Sequence, residues 1–124
     1  MRQISTDKAP AAIGPYCQAM VHGDMVFTSG QISLDPITGE VVGEDIVSQT
    51  KQVMANLCAV LEEAGTNPEN AIKTTCFLAD MADFAAFNGI YAEVFTGKPA
   101  RSCVAVKTLP KNVLVEVECI AVIK

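Results

Sequence analysis

The sequence contains no tryptophan, a single histidine and only two arginines. It also has no long run of apolar residues. No segment approaches the roughly 18 apolar residues that a membrane-spanning helix needs, and the first residues lack the apolar core of a signal peptide. We therefore expect a cytoplasmic protein with no membrane partner. The one histidine, His22, lies in a predicted hairpin turn, where a solvated side chain is commoner than a catalytic base or a metal ligand.

Positive charge is also scarce. Nine Lys and Arg residues face fourteen Asp and Glu residues, which gives a formal net charge of -5, and the cations form no cluster. Because affinity for nucleic acid comes largely from concentrated positive charge, we expect no nucleic-acid partner. One of the two arginines, Arg101, lies inside a hydrophobic segment, where a charged side chain needs a partner or a function.

Five cysteines are present, an odd number, and none of them forms the C-x-x-C spacing of a zinc or redox site. We expect free thiols in a reducing compartment. Cys103 follows Arg101 by two residues but has no histidine partner, so a packed small side chain is a better interpretation of its thiol than a nucleophile.

With 124 residues, half of them hydrophobic, the chain is long enough for one core and too short for two ordinary domains, so we expect a single domain over residues 1–124. The pattern predicts two strands joined by a Gly23-Asp24 turn, a helix from about Asp45 to Ala64 that stops at Gly65, and a buried strand in AIKTTCFLA. A second helix, capped by Asp80 and ended by Gly97, is followed by two strands. The order βββαβαββ predicts an α+β domain with two helices on one face of a mixed sheet.

The last strand carries the most information about a site. Its residues from Val113 to Ile123 alternate to give one wholly apolar face, which should meet the helices, and an opposite face that bears Glu116 and Glu118 among aliphatic side chains. If the last two strands form a hairpin with an even-numbered loop and no bulge, Arg101 and Cys103 share the glutamate face. An apolar face with a few charges favours burial against another subunit, and an interfacial ion pair without chemistry explains the same pattern.

Several separated motifs resemble one family in their order and spacing. These are IGPYCQA, SGQISLDPITGE, FNGIYAEVF, PARSCVAV and LVEVECIA, which together extend over nearly the whole chain. They resemble the Rid family of enamine and imine deaminases, also called the YjgF family, and are close to its RidA subfamily. The resemblance implies a chorismate-mutase-like fold and a homotrimer in which the sheets line a central barrel and three pockets lie at the subunit clefts.

The resemblance also implies the reaction. Family members hydrolyse 2-aminoacrylate, 2-iminopropanoate and 2-iminobutanoate, which pyridoxal-phosphate-dependent dehydratases release, to 2-keto acids and ammonia. Because imines hydrolyse readily in water, such an enzyme needs positioning and one well-placed polar group, and we expect neither a metal nor a cofactor.

Carried onto this sequence, the motif arginine is Arg101, which would hold the substrate carboxylate by two parallel hydrogen bonds. The motif glutamate is Glu116, which would orient water together with the backbone carbonyl of Cys103. The resemblance places four further substrate-binding residues near the pocket: Tyr16, Ser29, Gly30 and Asn88. Tyr16 could equally be a buried strand aromatic whose hydroxyl bonds the backbone.

Two departures from the family pattern are visible. The TGK segment before Pro99 is short and lacks an aromatic residue, which leaves the preferred substrate size open, and Ala105 replaces a common glutamate. Two rival functions remain. One is a sensor of 2-keto acids or other carboxylates, or a chaperone, and the other is a ribonuclease or translation inhibitor, which the acidic charge and the lack of a catalytic histidine disfavour.

Overall fold

A computed structural model describes residues 1–124 and contains six strands and two α-helices in the predicted order βββαβαββ. The strands are β1 (Arg2–Ile4), β2 (Ala19–His22), β3 (Met25–Thr28), β4 (Ala71–Leu78), β5 (Ala100–Ala105) and β6 (Val115–Val122). The helices are α1 (Ile46–Ala64) and α2 (Phe84–Val94), and single 3-10 turns cover Pro68–Asn70, Met81–Asp83 and Pro110–Asn112. Neither helix combines the length and the apolar character that crossing a membrane would require.

Helix α1 begins and ends where the sequence predicts. The carboxylate of Asp45 accepts a hydrogen bond from the backbone N–H of Ser48 at 2.7 Å, which satisfies one of the free donors of the first turn. Gly65 follows in the left-handed conformation, with φ at 91°, and its N–H and that of Thr66 bond to the last carbonyls of the helix.

The start and end of α2 differ from the prediction. Asp80 caps a 3-10 turn at Met81–Asp83, where its side chain accepts from the N–H of Ala82, and α2 begins only after that turn, at Phe84. The helix ends at Val94, so Gly97 lies in the following turn and does not itself end the helix. The short 3-10 turn reorients the chain before a helix that must pack beside α1.

The sheet has the strand order β1-β2-β3-β6-β4-β5 and is mixed, because β4 and β5 run parallel while the other neighbours run antiparallel. Both helices pack on one face of this sheet. The predicted apolar face of β6 is confirmed there, since Val115, Val117, Cys119 and Ala121 are all at most 1 % exposed.

The predicted hairpin between the last two strands is wrong, because β4 lies between β5 and β6. The segment β4-α2-β5 is a crossover connection, which places β5 parallel to β4 and beside it. The chain then passes the end of β4 and returns as β6 in the space between β3 and β4. A local alternation pattern contains no information about this insertion.

The second face of the sheet has no helix over it. Apolar side chains on this open face include Phe27, which is 42 % exposed, and Val104, which is 48 % exposed. On the same face, Met25 of β3 and Ile120 of β6 are half-buried. An apolar sheet face of this kind is a common site of association between subunits.

A buried glutamine fixes the segment before β2. The Gln18 side chain is 4 % exposed, accepts from the N–H of Thr6 at 2.7 Å and donates to the carbonyls of Thr6, Ala9 and Pro10. These bonds satisfy backbone groups that have no partner in regular structure. Gln18 thereby positions the segment that leads to Tyr16.

Replacing Gln18 with leucine should lower the free energy of unfolding by about 2–3 kcal/mol, because several buried backbone groups would lose their partners together. Urea unfolding followed by circular dichroism measures the change. Gln3→Met is the matched control, since Gln3 is exposed on β1, and it should stay within about 0.5 kcal/mol of the wild type. Equal stability of the two variants would contradict the structural role of Gln18.

Candidate functional site

Arg101 lies on the helix-covered face of the sheet. In the parallel register of β4 and β5 it is the partner of Thr74, a fully buried residue on that face. Its guanidinium carbon lies 4.8 Å from the centre of the Tyr91 ring and 5.4 Å from that of Phe84, both on α2. Such aromatic faces hold a cation electrostatically and orient its planar group.

Asn88 fixes the guanidinium from the same helix. Its side-chain oxygen accepts a hydrogen bond from Arg101 Nη1 at 2.5 Å. Phe84, Asn88 and Tyr91 recur at the i, i+4, i+7 spacing of one helix face, so α2 provides the whole support for the cation. Arginine has five N–H donors, and the bond to Asn88 leaves others for a ligand.

Tyr91 is itself held in place. Its hydroxyl lies 2.7 Å from Thr74 Oγ1, and its ring stacks on Phe95 with the ring centres 4.8 Å apart. Burial raises the pKa of the Tyr91 hydroxyl, so this group stays protonated at neutral pH. The aromatic surface under Arg101 is therefore neutral and rigid.

A cleft of about 450 Å³ opens beside Arg101, between the end of α2 and the start of β5. Its lining residues are Asn88, Tyr91, Ala92, Phe95, Thr96, Lys98, Pro99 and Arg101. Two of these are cations and none is an acid. The cleft is thus suited to an anionic ligand.

Cys103 follows on the same face of β5, as the register partner of Cys76. Burial raises the pKa of the Cys103 thiol, against the opposing effect of the Arg101 charge. A raised pKa leaves the thiol protonated and weakly nucleophilic at neutral pH. This agrees with the interpretation of Cys103 as a packed side chain.

Glu116 lies on the open face of the sheet. It is the register partner of Phe77 in the antiparallel pairing of β6 with β4, and Glu118 is the partner of Thr75 on the same face. Glu116 lines a second cavity of about 600 Å³, together with Tyr16, Gly30 and the charged residues Asp35 and Lys111.

Gly30 is in contact with the Glu116 carboxylate. Gln31 exchanges backbone hydrogen bonds with Val117, at 2.9 and 3.2 Å, and this bridge draws the segment after β3 alongside β6. A Cβ atom at position 30 would lie 2.6 Å from Glu116 Oε2. Since Gly30 does not have a positive φ, the glycine provides room for the carboxylate and is not required by the backbone.

The environment of Glu116 disfavours its charged form. Burial raises the pKa of its carboxyl group, and the negative charge of Glu118 raises it further. A carboxyl group with a raised pKa in a cavity can accept a proton near neutral pH more effectively than an ordinary one.

The structure separates residues that the sequence analysis placed together. Arg101 and Cys103 do not share a face with Glu116 and Glu118, because Arg101 pairs with buried Thr74 while Glu116 pairs with Phe77 on the other side of β4. The prediction that one chain brings arginine and glutamates together is therefore wrong. The shared face was inferred from a hairpin between the last two strands, and these strands are not neighbours.

The predicted site residues instead form two groups. Arg101, Asn88 and Cys103 lie on the helix side, and Tyr16, Gly30 and Glu116 lie around the second cavity. Ser29 precedes Gly30, and its hydroxyl donates to the carbonyl of Cys17 at 2.6 Å. Tyr16 is 56 % exposed, so the alternative interpretation of a buried strand aromatic is wrong.

Four residues near the two cavities were missed by the sequence analysis. Phe84 and Tyr91 lie at helical spacing to Asn88, which could have indicated one common surface. Lys98 lines the first cleft and Lys111 lines the second cavity. Both lysines have a positive φ, 52° and 57°, which a sequence pattern does not reveal for a residue other than glycine.

Comparison with known proteins gives full-length matches. The family model described as endoribonuclease L-PSP matches residues 6–123. A protein of Salmonella typhimurium named 2-iminobutanoate/2-iminopropanoate deaminase is 49% identical over 125 residues, covering 98% of this chain and 97% of that protein. Other relatives are named RutC family protein or regulator.

Solved structures match equally well. A protein from Thermotoga maritima, named as an endoribonuclease, has a TM-score of 0.97 and 48% identity, with 100% of this chain and 98% of that chain covered. The Escherichia coli protein TdcF with bound serine has a TM-score of 0.93 and 44% identity over 98% of both chains. These matches confirm the predicted fold class.

Replacing Glu118 with glutamine should lower the pKa of Glu116 toward its ordinary value, because the substitution removes a like charge and keeps the side-chain shape. Carbon-detected NMR titration of the Glu116 carboxyl measures the shift. Glu93→Gln, on the exposed side of α2, is the control and should leave the Glu116 titration unchanged. An unchanged or raised Glu116 pKa in the Glu118 variant would contradict the electrostatic coupling.

Proposed function

The chain belongs to the Rid (YjgF) family, and we propose that it hydrolyses reactive 2-imino acids, such as 2-iminopropanoate and 2-iminobutanoate, to 2-keto acids and ammonia. The first of these is the imine form of 2-aminoacrylate. The Salmonella relative that is named for this reaction matches along nearly its whole length. The proposal rests on the chemistry of the two groups of residues described above.

The observation that carries the proposal is the fixed orientation of Arg101 in a cleft that contains no acidic residue. Its guanidinium is fixed by Asn88, Phe84 and Tyr91 and faces a cleft without any acid. A planar cation with free donors binds a carboxylate through two parallel charge-assisted hydrogen bonds. Every 2-imino acid has that carboxylate next to its reactive carbon, so Arg101 would fix the position of the imine.

Glu116, assisted by the backbone carbonyl of Cys103, would direct a water molecule onto the imine carbon. The water oxygen bonds to that carbon, and a proton passes from the water to the nitrogen, with Glu116 as the carrier. The resulting tetrahedral adduct transfers its hydroxyl proton to the nitrogen as the carbon–nitrogen bond breaks, which releases ammonia and the 2-keto acid. Tyr16, Ser29 and Asn88 would shape and orient the site.

The reaction needs Arg101 and Glu116 together, yet one chain holds them on opposite faces of its sheet. We therefore infer that each complete site combines the Arg101 group of one copy with the Glu116 group of another. The apolar open face, with Phe27 and Val104, supports such an assembly. We propose the homotrimer of the family, with the sites at the subunit clefts.

The substrates would come from pyridoxal-phosphate-dependent dehydratases, which release such imines. Hydrolysis of an activated imine requires mainly orientation and proton transfer, so the residues described here suffice for the proposed chemistry. The functional link to these dehydratases would be the imine that they release and this chain hydrolyses.

A carboxylate-binding sensor is the second candidate. The related TdcF structure contains bound serine, an amino acid with the same carboxylate, and one relative is named as a regulator. Arg101 would serve both functions, whereas Glu116 is needed only for turnover. Glu116→Gln therefore separates them, because it should abolish hydrolysis in an enzyme and leave keto-acid binding within about twofold.

A ribonuclease function has less support, although the matching family model has that name. The chain has a net charge of -5, and its one histidine, His22, lies exposed at the end of β2 and lines neither cavity. RNA cleavage by purified protein that survives Arg101→Ala would be required to favour it.

Mixing two inactive variants tests both the reaction and the shared site. Arg101→Ala and Glu116→Gln should each lose imine hydrolysis, by roughly a hundredfold or more, because each lacks one essential group. Unfolded together in equal amounts and refolded, they should regain roughly a quarter of wild-type activity, because that fraction of clefts receives both intact residues.

Activity is followed as keto-acid release from a serine or threonine dehydratase reaction, with semicarbazide competing for the imine. Each variant refolded alone is the control. Mixtures that remain as inactive as the single variants would show that the two residues do not form a shared site. A wild type that fails to accelerate keto-acid release would reject the deaminase itself.

Gly30→Ala should lower kcat/KM at least tenfold while the protein stays folded, because the new methyl group displaces the flexible end of Glu116 and leaves the backbone in place. Gly89→Ala is the matched control, since no atom lies within 4 Å of a Cβ there. Steady-state kinetics and thermal unfolding are measured on both variants. Full activity in Gly30→Ala would contradict the prediction.

A further inference from the structure

The turn at Thr96–Pro99 holds a lysine at the Arg101 cleft in an unusual conformation. Lys98 has a φ of 52°, which a residue with a side chain adopts rarely and at an energetic cost. Its N–H donates to the carbonyl of Phe95 at 3.3 Å, and Pro99 follows with a restricted backbone. The backbone of Lys98 is thus constrained on both sides.

Gly97 fixes the same turn against the rest of the protein. A Cβ at this position would lie 2.9 Å from the carbonyl oxygen of Glu69, in the 3-10 turn before β4. Only glycine allows this close approach. The turn therefore packs against a neighbouring segment, and the backbone of Lys98 is held in place at the rim of the cleft.

The charges of the cleft exceed what one carboxylate needs. Arg101 provides a complete bidentate partner for the carboxylate next to the imine carbon. Lys98 is the only other charged residue of the same chain that lines the cleft. In the proposed assembly Glu116 of another copy acts on the water at the imine carbon, so the ammonium of Lys98 remains for a second negative charge on the ligand.

The size of the cleft agrees with a longer substrate. Within one copy its volume of about 450 Å³ exceeds that of an imine of three or four carbons, so the cleft has room for a longer chain beside Arg101. A chain that extends from Arg101 toward Lys98 would fill this space.

We propose that Lys98 is a specificity-determining residue that binds the distal carboxylate of 2-imino dicarboxylic acids, so that the imine of glutamate is preferred over imines of similar length with uncharged side chains. This inference rests on the proposed function, since Arg101 must hold the first carboxylate. The hydrolysis is unchanged: water adds to the imine carbon and ammonia leaves. The same ammonium would repel imines with cationic side chains.

Binding of keto acids tests the inference without requiring turnover. Isothermal titration calorimetry on the assembled protein gives Kd values for 2-oxoglutarate and for 2-oxohexanoate, a monocarboxylate of similar length without the distal charge. The wild type should prefer 2-oxoglutarate, and Lys98→Met should reduce that preference about fivefold, the contribution of an ion pair at an exposed lysine. Lys107→Met, on an exposed lysine outside both cavities, is the matched control and should leave the preference unchanged.

Hydrolysis of the imines of glutamate and norleucine, generated by amino-acid oxidases in the presence of catalase, gives a second ratio of kcat/KM. Loss of both preferences in Lys98→Met alone supports the inference. Turnover with equal preferences in Lys98→Met and wild type overturns it and leaves the deaminase standing. A Lys98-dependent binding preference without turnover of any imine supports the dicarboxylate site and rejects the deaminase.

Discussion

The pairing of β6 with β3 on one side and β4 on the other joins the two parts of the sheet. One face of β6 consists of fully buried residues such as Val115 and Val117, which contribute the centre of the core beneath the helices. Its other face presents Glu116. Because side chains on a strand alternate, the burial of the first set fixes the direction of the second, and core packing thereby positions the candidate catalytic carboxylate.

The same insertion separates the two charges of the proposed reaction. With β6 between β3 and β4, strand β5 becomes the edge of the sheet, and its Arg101 is drawn to the helix side by the register with Thr74. Glu116 faces the opposite side. The arginine and the glutamate of one chain therefore cannot neutralise each other in this arrangement.

The supporting residues have distinct physical tasks. Asn88 and two aromatic rings orient the guanidinium without neutralising it, so its charge is available to a carboxylate. Gly30 leaves room for Glu116, and burial together with Glu118 raises the pKa of that carboxyl group. The proposed site combines a permanently charged anchor with a group whose proton affinity is raised.

The sequence alone predicted the elements and the faces that are set by neighbours along the chain. Helix α1 with its Gly65 stop, the two-residue Gly23-Asp24 turn and the apolar face of β6 all follow from local periodicity and turn chemistry. Of the residues named through motif resemblance, Arg101 and Asn88 line one cavity and Tyr16, Gly30 and Glu116 line the other. Lys98 and Lys111 were missed because their positive φ values arise from the folded turn.

Only the tertiary structure decided which strands are neighbours. The predicted hairpin of the last two strands was reasonable locally, but the crossover through α2 places β5 beside β4, and β6 pairs with strands that are distant in sequence. Strand order depends on the total burial achieved by the whole sheet, and no short pattern encodes it. The amino-acid sequence thus determined which groups are present and how each alternates along its strand, while long-range packing decided that Arg101 and Glu116 lie on opposite faces.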